Sequence, residues 1–540
     1  MTITHEVFNQ VPPRVDVDEF ASNIPLVEAV ERYDAHWALD DLGEVGRYVG
    51  TQSFQHDAER ANRIEPELHS HDRYGNRIDE VEYDSSYHRI ISAAVAAGAH
   101  TSAWASPRPG ANVARAATFM LFAQVEPGHA CPISMTHSAV PAIATTPGLA
   151  DQWMPRLLSR SYSESLDAPK SSALFGMAMT EKQGGSDVRA NTTRAVTSED
   201  GYLLTGHKWF CSAPMSDAFL VLAQAEQGLS CFLVPRVLED GTRNVFRIQR
   251  LKDKLGNRSN ASSEIEFDNT IGHLVGEEGR GVRTIIEMVA RTRLDCVYGT
   301  TAGMRQAVAE AVWHVKRRAA FGRLLSDQPA MSAVVADLAL ESEAATATSL
   351  RLARAHDEDA SDAEIAFRRL AIAVSKYWIC KRGPEHAYEA LECLGGNGYT
   401  ETFPLARRYR EQPVMAVWEG SGNVIALDVL RALSREPESY DAFDAEVALA
   451  SGASAIFDAH LKATRALVKS VAASEPDAAS RDARRLVAAL ALSLQASLLL
   501  RHAPAAVSDA FVTSRLGPVR GHLYGELPET ANLAAILERV

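Results

Sequence analysis

The chain has 540 residues, of which 46% are apolar and 23% are charged, as in a soluble protein with several domains. Its formal charge of −14 argues against a general nucleic-acid coat, while leaving room for a local basic patch. The first residues contain no basic segment followed by an apolar one. We therefore expect no secretory signal and a cytoplasmic protein.

Six cysteines are scattered along the chain and none forms a C-x-x-C pair. This spacing predicts reduced thiols, with neither a disulfide framework nor a metal site. The most apolar helical run, residues 486–500, is 15 residues long and includes polar side chains. A run of this length is too short for a bilayer, so we expect no membrane span.

In chain order, residues 1–20 contain a Pro pair and predict an irregular leading arm. The pattern then becomes mostly helical up to residue 160, with alanine-rich runs at 90–99 and 113–123. Segments rich in Pro and Gly separate these runs. We predict an N-terminal helical domain over residues 1–172, including the arm.

Residues 173–280 change to short apolar runs that are typical of strands. A turn signal at residues 199–201 predicts a hairpin between 193–197 and 202–205. Residues 218–223, 231–235 and 264–268 have strand length or strand alternation. Several short strands at close spacing predict a small β-barrel or sandwich.

Helical periodicity returns at residue 281 and predicts a helical bundle over residues 281–433. Within it, a helix-start signal at residues 326–329 precedes apolar residues at helical spacing. A polar segment at 434–440 predicts a linker, and residues 441–540 predict an extra helical domain. This order predicts a multidomain α+β protein and argues against a doubly wound sheet, which needs alternating strands and helices.

One carboxylate, Glu419, stands between Trp418 and a Gly-Ser-Gly loop that precedes an apolar helical run. Ser421 can cap that helix, whose first N–H groups are available to an anion. A partly buried carboxylate is a better base near neutral pH than an exposed one. The alternative is a solvent-facing capping loop.

Two further motifs fall in the predicted β domain. Residues 177–187 (MAMTEKQGGSD) combine hydroxyls with a Gly pair, which permits close approach of a flat polar ligand. Residues 206–212 (GHKWFCS) carry two aromatic rings on a strand, and alternation predicts that Trp209 and Phe210 point to opposite faces. The alternatives are a simple turn and a pair of core aromatics.

Two more motifs fall in the predicted bundle. The basic cluster of Lys316, Arg317 and Arg318 can hold a pyrophosphate at a helix end. Residues 394–399 (LGGNGY) have three glycines in four positions, which allows a ligand close to the backbone. The alternatives are a solvated basic helix face and an ordinary loop between helices.

The order and spacing of these motifs resemble those of the acyl-CoA dehydrogenase superfamily of FAD flavoproteins. M-T-E-x-x-x-G-S-D matches residues 179–187, G-x-K-x-W matches 206–210 with Phe210 as the last residue, and R-x-x-F-G matches 318–322. Q-x-x-G-G-x-G-[YF] matches 392–399 with Glu392 first, and Y-E-G-T matches 418–421 with Trp and Ser. Residues 124–141, 181–195 and 252–262 and the final helical domain are most similar to the AidB-type subgroup, which is linked to DNA alkylation.

The resemblance implies that Glu419 removes the α-proton of an acyl thioester while the β-hydride goes to flavin N5. The other base position of the family matches Thr292, which has no carboxylate. The resemblance also implies a homotetramer, in which Arg318 reaches the FAD of a neighbouring subunit. The residues that it assigns to FAD are Met177, Met179, Thr180, Ser186, Trp209, Phe210, Ser212, Arg318, Phe321, Gln328, Trp418, Gly420, Ser421 and Asn423, and those that it assigns to substrate are Arg293 and Trp418.

Two functions follow from the resemblance. The first is an FAD-dependent dehydrogenase that acts on the CH–CH group of an acyl-CoA or a related substrate and passes electrons to a partner protein. The alternative is a flavoprotein that binds double-stranded DNA and protects it from alkylation, with weak or vestigial dehydrogenase activity. Its candidate DNA contacts are Arg431, Arg481, Arg484 and Arg485. Residues 441–540 hold ten Lys and Arg against eleven Asp and Glu, so their composition does not favour DNA binding.

Overall fold

The computed structural model describes residues 4–166, 170–518 and 521–540. The predicted leading arm is irregular from residue 4 to residue 18, and residues 1–3 lie outside the described part. The helices, in chain order, are α1 (Ile24–Arg32), α2 (Leu39–Gly50), α3 (Gln52–Arg63), α4 (Ser85–Ala96), α5 (Ser102–Ala105), α6 (Ala111–Ala123), α7 (Ala130–Ile143), α8 (Pro147–Leu157), α9 (Gly281–Val315), α10 (Pro329–Arg354), α11 (Asp362–Glu392), α12 (Pro404–Met415), α13 (Gly422–Arg435), α14 (Pro437–Ala448), α15 (Ala455–Ala472), α16 (Pro476–His502), α17 (Ala505–Leu516) and α18 (Leu533–Leu537).

The strands form one large sheet and two short hairpins. They are β1 (Glu67–His71), β2 (Arg77–Glu82), β3 (Phe175–Ala178), β4 (Arg194–Ser198), β5 (Gly201–Ser212), β6 (Ala218–Ala225), β7 (Gly228–Pro235), β8 (Arg247–Leu251), β9 (Ser262–Val275), β10 (Ala319–Ala320) and β11 (Arg323–Leu324).

Contacts divide the chain into two compact units, each built from segments far apart in sequence. The helical unit comprises Met1–Gln52, Arg108–Val125 and Cys296–Val540, and the sheet unit comprises Ser53–Pro107 and Glu126–Asp295. The four consecutive sequence domains, 1–172, 173–280, 281–433 and 441–540, stay a prediction.

The sheet unit contains the predicted barrel. Strands β4, β5, β9, β7 and β6 pair in that order, and β6 pairs back with β4, which closes the ring; β3 and β8 add to β6 and β9. The hairpin predicted around residues 199–201 is confirmed, because β4 and β5 pair antiparallel from Arg194 with Thr205 to Ser198 with Gly201. Closure removes free sheet edges, which fits so many short strands.

The core of the sheet unit lies where α7 and α8 cover β3, β6 and β7. Trp153, Phe175, Leu220 and Leu233 are at most 5% exposed and belong to one apolar cluster. Burying apolar surface of this kind stabilises a domain by roughly 25 cal/mol per Å². The cluster thereby fixes β3, which leads into the first of the predicted site segments.

The β1–β2 hairpin is an addition to the mostly helical pattern predicted up to residue 160. These strands pair antiparallel across a turn in which Asp72 accepts hydrogen bonds from the backbone N–H groups of Tyr74 and Asn76. Both strands are mostly polar and partly exposed, so their sequences show no clear apolar alternation. The turn at Asp72 favours their pairing.

The helical unit contains α10 to α13 and the part of α9 from Cys296 onward, all within the range predicted as a bundle. Helix α10 begins at Pro329 as the start signal predicts. Ion pairs join the later helices to it. Arg351 of α10 donates to Glu364 at 2.8 Å and to Glu446 of α14 at 2.9 Å, and Arg501 of α16 also donates to Glu446. Burial alone would raise the pKa of Glu446, but the two arginines lower it.

The predicted linker at residues 434–440 is wrong, because α13 continues to Arg435 and α14 begins at Pro437. Pro at the first helical position starts a helix rather than breaking one. The intervening Glu436 accepts a hydrogen bond from Arg369 at 3.1 Å, while Ser434, Arg435, Pro437 and Glu438 are exposed. The polar composition therefore reflects exposed helix ends rather than a linker.

The apolar run at residues 486–500 lies within α16, which has 27 residues. By length and composition alone α16 could cross a membrane. The helix is longer than the 15-residue apolar run from which the sequence predicted no membrane span. In the protein, 72% of its most apolar window is buried, as in the core helix of a soluble protein.

Candidate functional site

The segment with Met177, Met179 and Thr180 leaves the barrel at the end of β3. Met177 lies on β3, and the other two residues follow directly. The carbonyl of Thr180 accepts a hydrogen bond from the backbone N–H of Trp209 at 2.9 Å. The sheet unit thus places two of the sequence motifs side by side. The side chains of Met177, Met179, Thr180 and Trp209 are all half-buried.

A buried ion pair fixes this arrangement. Lys208 Nζ lies 2.9 Å from Glu181 Oε1, both side chains are fully buried, and Nζ also donates to the carbonyl of Leu222 at 2.7 Å. Burial alone would raise the pKa of Glu181, but hydrogen bonds from Thr192, Thr193 and Lys208 hold it well below its usual range. Burial lowers the pKa of Lys208, against the opposing effect of Glu181. The motif residues Glu181 and Lys208 therefore serve the structure of the loop.

The loop after Glu181 is exposed and rich in hydrogen-bond donors. Gly184 has φ +142°, a region that favours glycine. A side chain at Gly185 would bring its Cβ within 2.4 Å of Thr180 Oγ1. Glycine at this position therefore leaves room beside the Thr180 hydroxyl, and Ser186 follows on the exposed part of the loop.

Trp209 and Phe210 do not alternate across the strand, which corrects the expectation of opposite faces. Between Lys208 and Cys211, three steps along β5 match two along β9, so the pair lies in a β-bulge. The two rings are 6.4 Å apart and nearly perpendicular. Lys252 Nζ lies 3.2 Å from the centre of the Trp209 ring and 4.8 Å from that of Phe210. Both rings therefore contact the same ammonium group, that of Lys252.

Ser212 lies further along β5, and its hydroxyl is 3.2 Å from that of Ser262 on β9. Lys252 also pairs with Glu264 at 2.6 Å. Lys252 begins the segment 252–262 of the AidB-type resemblance, but the sequence did not place it beside Trp209 and Phe210. The pairing of β8 with β9 brings it there.

Two of the segments that carry the AidB-type resemblance contact each other in the sheet unit. The buried carboxylate of Glu126 accepts hydrogen bonds from Ser259 Oγ at 2.5 Å, Gly128 N at 3.0 Å and His129 N at 2.8 Å. Burial alone would raise the pKa of Glu126, but its bonds with His129 and Ser259 lower it to about 2. A buried charge joins residues 124–141 to residues 252–262.

In the helical unit, Arg318 and Phe321 lie on the β10–β11 hairpin. Phe321 and Gly322 have φ +51° and +79°, as in a two-residue turn of type I′. Phe321 is 97% exposed, although it is a large apolar residue. Gln328 supports the base of the hairpin by donating to the carbonyl of Ala320 at 3.1 Å.

The leading arm holds this hairpin. Asn9 donates to the carbonyl of Ala319 at 2.8 Å and accepts from its N–H at 2.9 Å. The Arg318 guanidinium donates to the backbone carbonyl of Asn9, and Trp313 Nε1 donates to that of Pro12 at 2.8 Å. Sequence reasoning missed the role of the arm, because Asn9 lies 310 residues from Ala319.

Glu419 lies in the turn between α12 and α13, and its own φ is +57°. A residue other than glycine in this region costs on the order of 1–2 kcal/mol, so the surroundings must hold it there. Lys376 of α11 does so in part, because its Nζ donates to the carbonyl of Gly420 at 2.6 Å and to that of Ala416 at 3.3 Å. Trp418 packs against an apolar cluster that contains Met415.

Ser421 occupies the N-cap position of α13, as predicted, but its side chain makes no capping hydrogen bond. Its hydroxyl and the N–H groups of the first turn are therefore suited to a ligand. Asn423 in that turn accepts a hydrogen bond from Arg484 Nε at 2.8 Å. Arg484 belongs to α16 and was expected to contact DNA, not a neighbouring residue of the chain.

The remaining predicted residues lie elsewhere. Arg293 is half-buried on α9 in the sheet unit, next to Thr292, whose hydroxyl donates to the carbonyl of Val289 at 3.1 Å. Arg431 is exposed on α13 and 3.3 Å from Asp428. On α16, Arg481 is exposed and Arg485 lies 3.4 Å from Asp482.

The predicted site residues fall into two sets. The helical unit holds the hairpin with Arg318, Phe321 and Gln328, and the consecutive segment Trp418, Glu419, Gly420, Ser421 and Asn423. The sheet unit holds Met177, Met179, Thr180, Ser186, Trp209, Phe210, Ser212 and Arg293. In the part of the chain that the structure describes, no group of three or more His, Cys, Asp or Glu side chains is placed to hold a metal ion.

The comparisons with known proteins cover most of the chain. The family model for the adaptive response protein AidB N-terminal domain matches residues 9–164. The models for the middle and C-terminal domains of acyl-CoA dehydrogenase match residues 176–270 and 279–434. The chain is 47% identical to AidB of Escherichia coli (strain K12) over 84% of its own length and 85% of that protein.

A more distant relative and two solved structures agree. Acyl-CoA dehydrogenase family member 11 of Caenorhabditis elegans is 29% identical over 80% of this chain and 72% of that protein. The structure of C. elegans ACDH-11 in complex with C11-CoA has a TM-score of 0.86 at 25% identity, and covers 99% of this chain and 93% of that one. The structure titled Bd2924 apo-form has a TM-score of 0.83 at 25% identity, with coverages of 92% and 100%.

The chain belongs to the acyl-CoA dehydrogenase family and is an FAD-dependent oxidoreductase of that type. Within the family it is AidB-like, since the AidB model accounts for its N-terminal part. The predicted α+β architecture, with helical regions on both sides of a barrel in sequence, is confirmed.

The residues present fit FAD. In the sheet unit, the Gly184–Gly185 loop leaves space beside the Thr180 hydroxyl. Considered by itself, the helical unit offers a helix start without a side-chain cap just after Glu419. Hydroxyls and free N–H groups suit the polar parts of the cofactor, and an aromatic pair suits its ring system.

Proposed function

We propose that Glu419 is the base of an acyl-CoA dehydrogenation. Its carboxylate takes the α-proton of an acyl thioester, the β carbon loses a hydride, and a double bond forms between the two carbons. Bound FAD supplies the acceptor for the hydride at N5. The observation that carries this assignment is the turn itself. It holds the backbone of the half-buried Glu419 in a left-handed conformation.

Holding the base in one position is what this chemistry needs. An α-proton is weakly acidic, so the carboxylate must be aligned with it and partly shielded from water. Glu419 is half-buried, and neighbouring Trp418 packs against Cys296, Cys380 and Met415. Trp418 stands where the family pattern has Tyr, and we propose that it contacts the acyl group of the substrate.

The substrate we propose is an acyl-CoA. Support comes from the relative whose structure was solved with C11-CoA. We further propose that the reduced cofactor passes its electrons to a partner protein in the cytoplasm.

We also propose a homotetramer in which Arg318 and Phe321 serve the cofactor of a neighbouring subunit. The exposure of Phe321 and the support of its hairpin by Asn9 favour this arrangement. A large apolar side chain that is almost fully exposed in one chain is expected to be covered in an assembly.

The test follows the visible spectrum of the FAD-loaded protein without oxygen while acyl-CoAs of increasing chain length are added. We expect one or more thioesters to bleach the flavin of the parent protein. Glu419→Gln should bind the same thioester and keep an oxidised spectrum. Glu438→Gln is the matched control, because Glu438 is exposed on α14 and has no place in the proposed site.

Two results would contradict the proposal. If the flavin of Glu419→Gln bleaches at the parent rate, Glu419 is not the base. A parent protein that keeps an oxidised flavin with every thioester would shift support to the alternative function.

That alternative is a flavoprotein that binds double-stranded DNA and protects it from alkylation. Membership of the AidB branch supports it, and its candidate DNA contacts are the four arginines on α13 and α16. A duplex titration at increasing salt tests it, because phosphate contacts make affinity fall steeply with salt. Absence of binding at low salt would exclude it.

A further inference from the structure

Lys376 is a buried lysine beside the turn that carries Glu419. Its side chain rises from the middle of α11, and the residue is 1% exposed. Its Nζ donates to the carbonyls of Ala416 and Gly420, at the two ends of the turn. Glu419 lies between these two anchored residues.

A lysine in this position needs an explanation. Burying an amine costs free energy unless hydrogen bonds replace its water contacts. Here the replacements are backbone carbonyls of one turn rather than a carboxylate, so the bonds define where the turn lies. Apolar packing of Met415 and Trp418 holds the other side of the same turn.

The bond to Gly420 is the shorter of the two, at 2.6 Å. That carbonyl belongs to the residue directly after Glu419, so a shift of the bond moves the Glu419 backbone. Glu419 also needs φ +57°, which is an unfavourable conformation in the absence of external contacts. Lys376 therefore fixes the backbone at Ala416 and Gly420, on either side of Glu419.

We propose that Lys376 is a positioning residue for the base. It does not touch the reacting atoms; it holds the turn so that the Glu419 carboxylate meets the α-proton. This inference rests on the proposed function. A displacement of the base by about 1 Å can lower a rate roughly 100-fold, so even a small relaxation of the turn should be measurable.

The first variant is Lys376→Met, which keeps the length of the side chain and removes its donors. The second is Lys376→Gln, whose shorter side chain cannot reach both carbonyls. We expect kcat to fall at least tenfold in both, while KM and the affinity for FAD change less than about threefold. Lys462→Met is the matched control, since Lys462 is exposed on α15.

A second readout isolates the base from the redox step. A 3-thiaacyl-CoA has sulfur at the β position and no β-hydride to lose, so only the α-proton can react. In D2O the parent protein should exchange that proton for deuterium, and Glu419→Gln should not. Both Lys376 variants should exchange at least tenfold more slowly than the parent. A purely structural role would instead lower stability or FAD binding and leave exchange per bound flavin unchanged.

The outcomes separate the two proposals. If Glu419→Gln exchanges as fast as the parent, the proposed function fails. If Glu419→Gln is inactive but either Lys376 variant, folded and loaded with FAD, exchanges and turns over at the parent rate, the inference about Lys376 is overturned. If Lys376→Met does not fold, Lys376→Gln alone decides by the same criteria. If neither folds with FAD, Lys376 is a stability residue and the inference is overturned.

Discussion

Arg484 Nε donates a hydrogen bond to Asn423 Oδ1 at 2.8 Å, and this bond connects α16 with the first turn of α13. The acyl-CoA dehydrogenase match ends at residue 434, so α16 belongs to the additional C-terminal part of the chain. Asn423 is one of the residues that the family resemblance assigns to FAD. The additional helices thus reach a segment of the proposed cofactor site.

This contact predicts that Arg484→Gln weakens FAD binding. The bond fixes the Asn423 amide, and a hydrogen bond from a charged donor contributes about 1.5 kcal/mol or more. We expect the Kd of FAD to rise about tenfold. Flavin fluorescence titration of the apoprotein measures it.

The control for this prediction is Lys469→Gln, which removes an exposed positive charge from α15. It should leave the Kd of FAD unchanged. An unchanged Kd in Arg484→Gln, together with weaker binding of duplex DNA, would return Arg484 to the DNA-contact role expected from sequence.

The second prediction concerns the ion pair of Glu181 and Lys208, whose side chains are both fully buried. Glu181→Gln leaves Lys208 buried without its carboxylate, and removal of one partner from such a pair costs about 3–5 kcal/mol. We expect a clearly lower midpoint in thermal unfolding of the FAD-free protein.

Adding Lys208→Met to Glu181→Gln removes the unpaired charge as well. The double variant should then be more stable than Glu181→Gln alone, because the uncompensated charge is the larger cost. Equal midpoints for the single and double variants would show that the two side chains are not coupled.

The sequence predicts the motifs from local signals, but it does not predict the long-range contacts that hold their side chains in place. The barrel strands follow from apolar runs and the turn at residues 199–201, which are local signals. The common face of Trp209 and Phe210 depends on a bulge in the pairing of β5 with β9. Such a register shift involves a strand more than 50 residues away, so strict alternation gave the wrong geometry.

The support of the turn that contains Glu419 shows the same limit. Lys376 precedes Gly420 by 44 residues, and on α11 it reads as one polar residue among several. The contact between Lys376 and this turn is long-range, and one sequence does not contain it.

A third prediction concerns Phe321 at the tip of the β10–β11 hairpin. Its φ of +51° suits glycine, so Phe321→Gly should leave a single chain at least as stable. If the ring is covered by a neighbouring subunit, the variant should dissociate at higher protein concentration than the parent. Sedimentation velocity over a dilution series measures this.

Tyr74→Gly provides the matched control, because Tyr74 is also an exposed aromatic residue in a hairpin turn. It should not change the assembly state. A parent-like dissociation curve for Phe321→Gly would place the subunit interface elsewhere on the chain.

The last prediction concerns Glu126, whose buried carboxylate accepts three hydrogen bonds. In Glu126→Gln, the amide nitrogen cannot accept from His129 N, which leaves a buried donor unsatisfied at a cost of about 1–3 kcal/mol. The folded state lowers the pKa of Glu126 from its ordinary value of 4.5 to about 2. The charged carboxylate therefore adds stability above pH 4.5, and that contribution is lost as the pH falls toward 2.

We expect Glu126→Gln to unfold at lower temperature than the parent at pH 7. The difference between the two unfolding temperatures should narrow as the pH falls from 4.5 toward 2. A difference that stays constant over this range would mean that Glu126 acts through its shape rather than its charge.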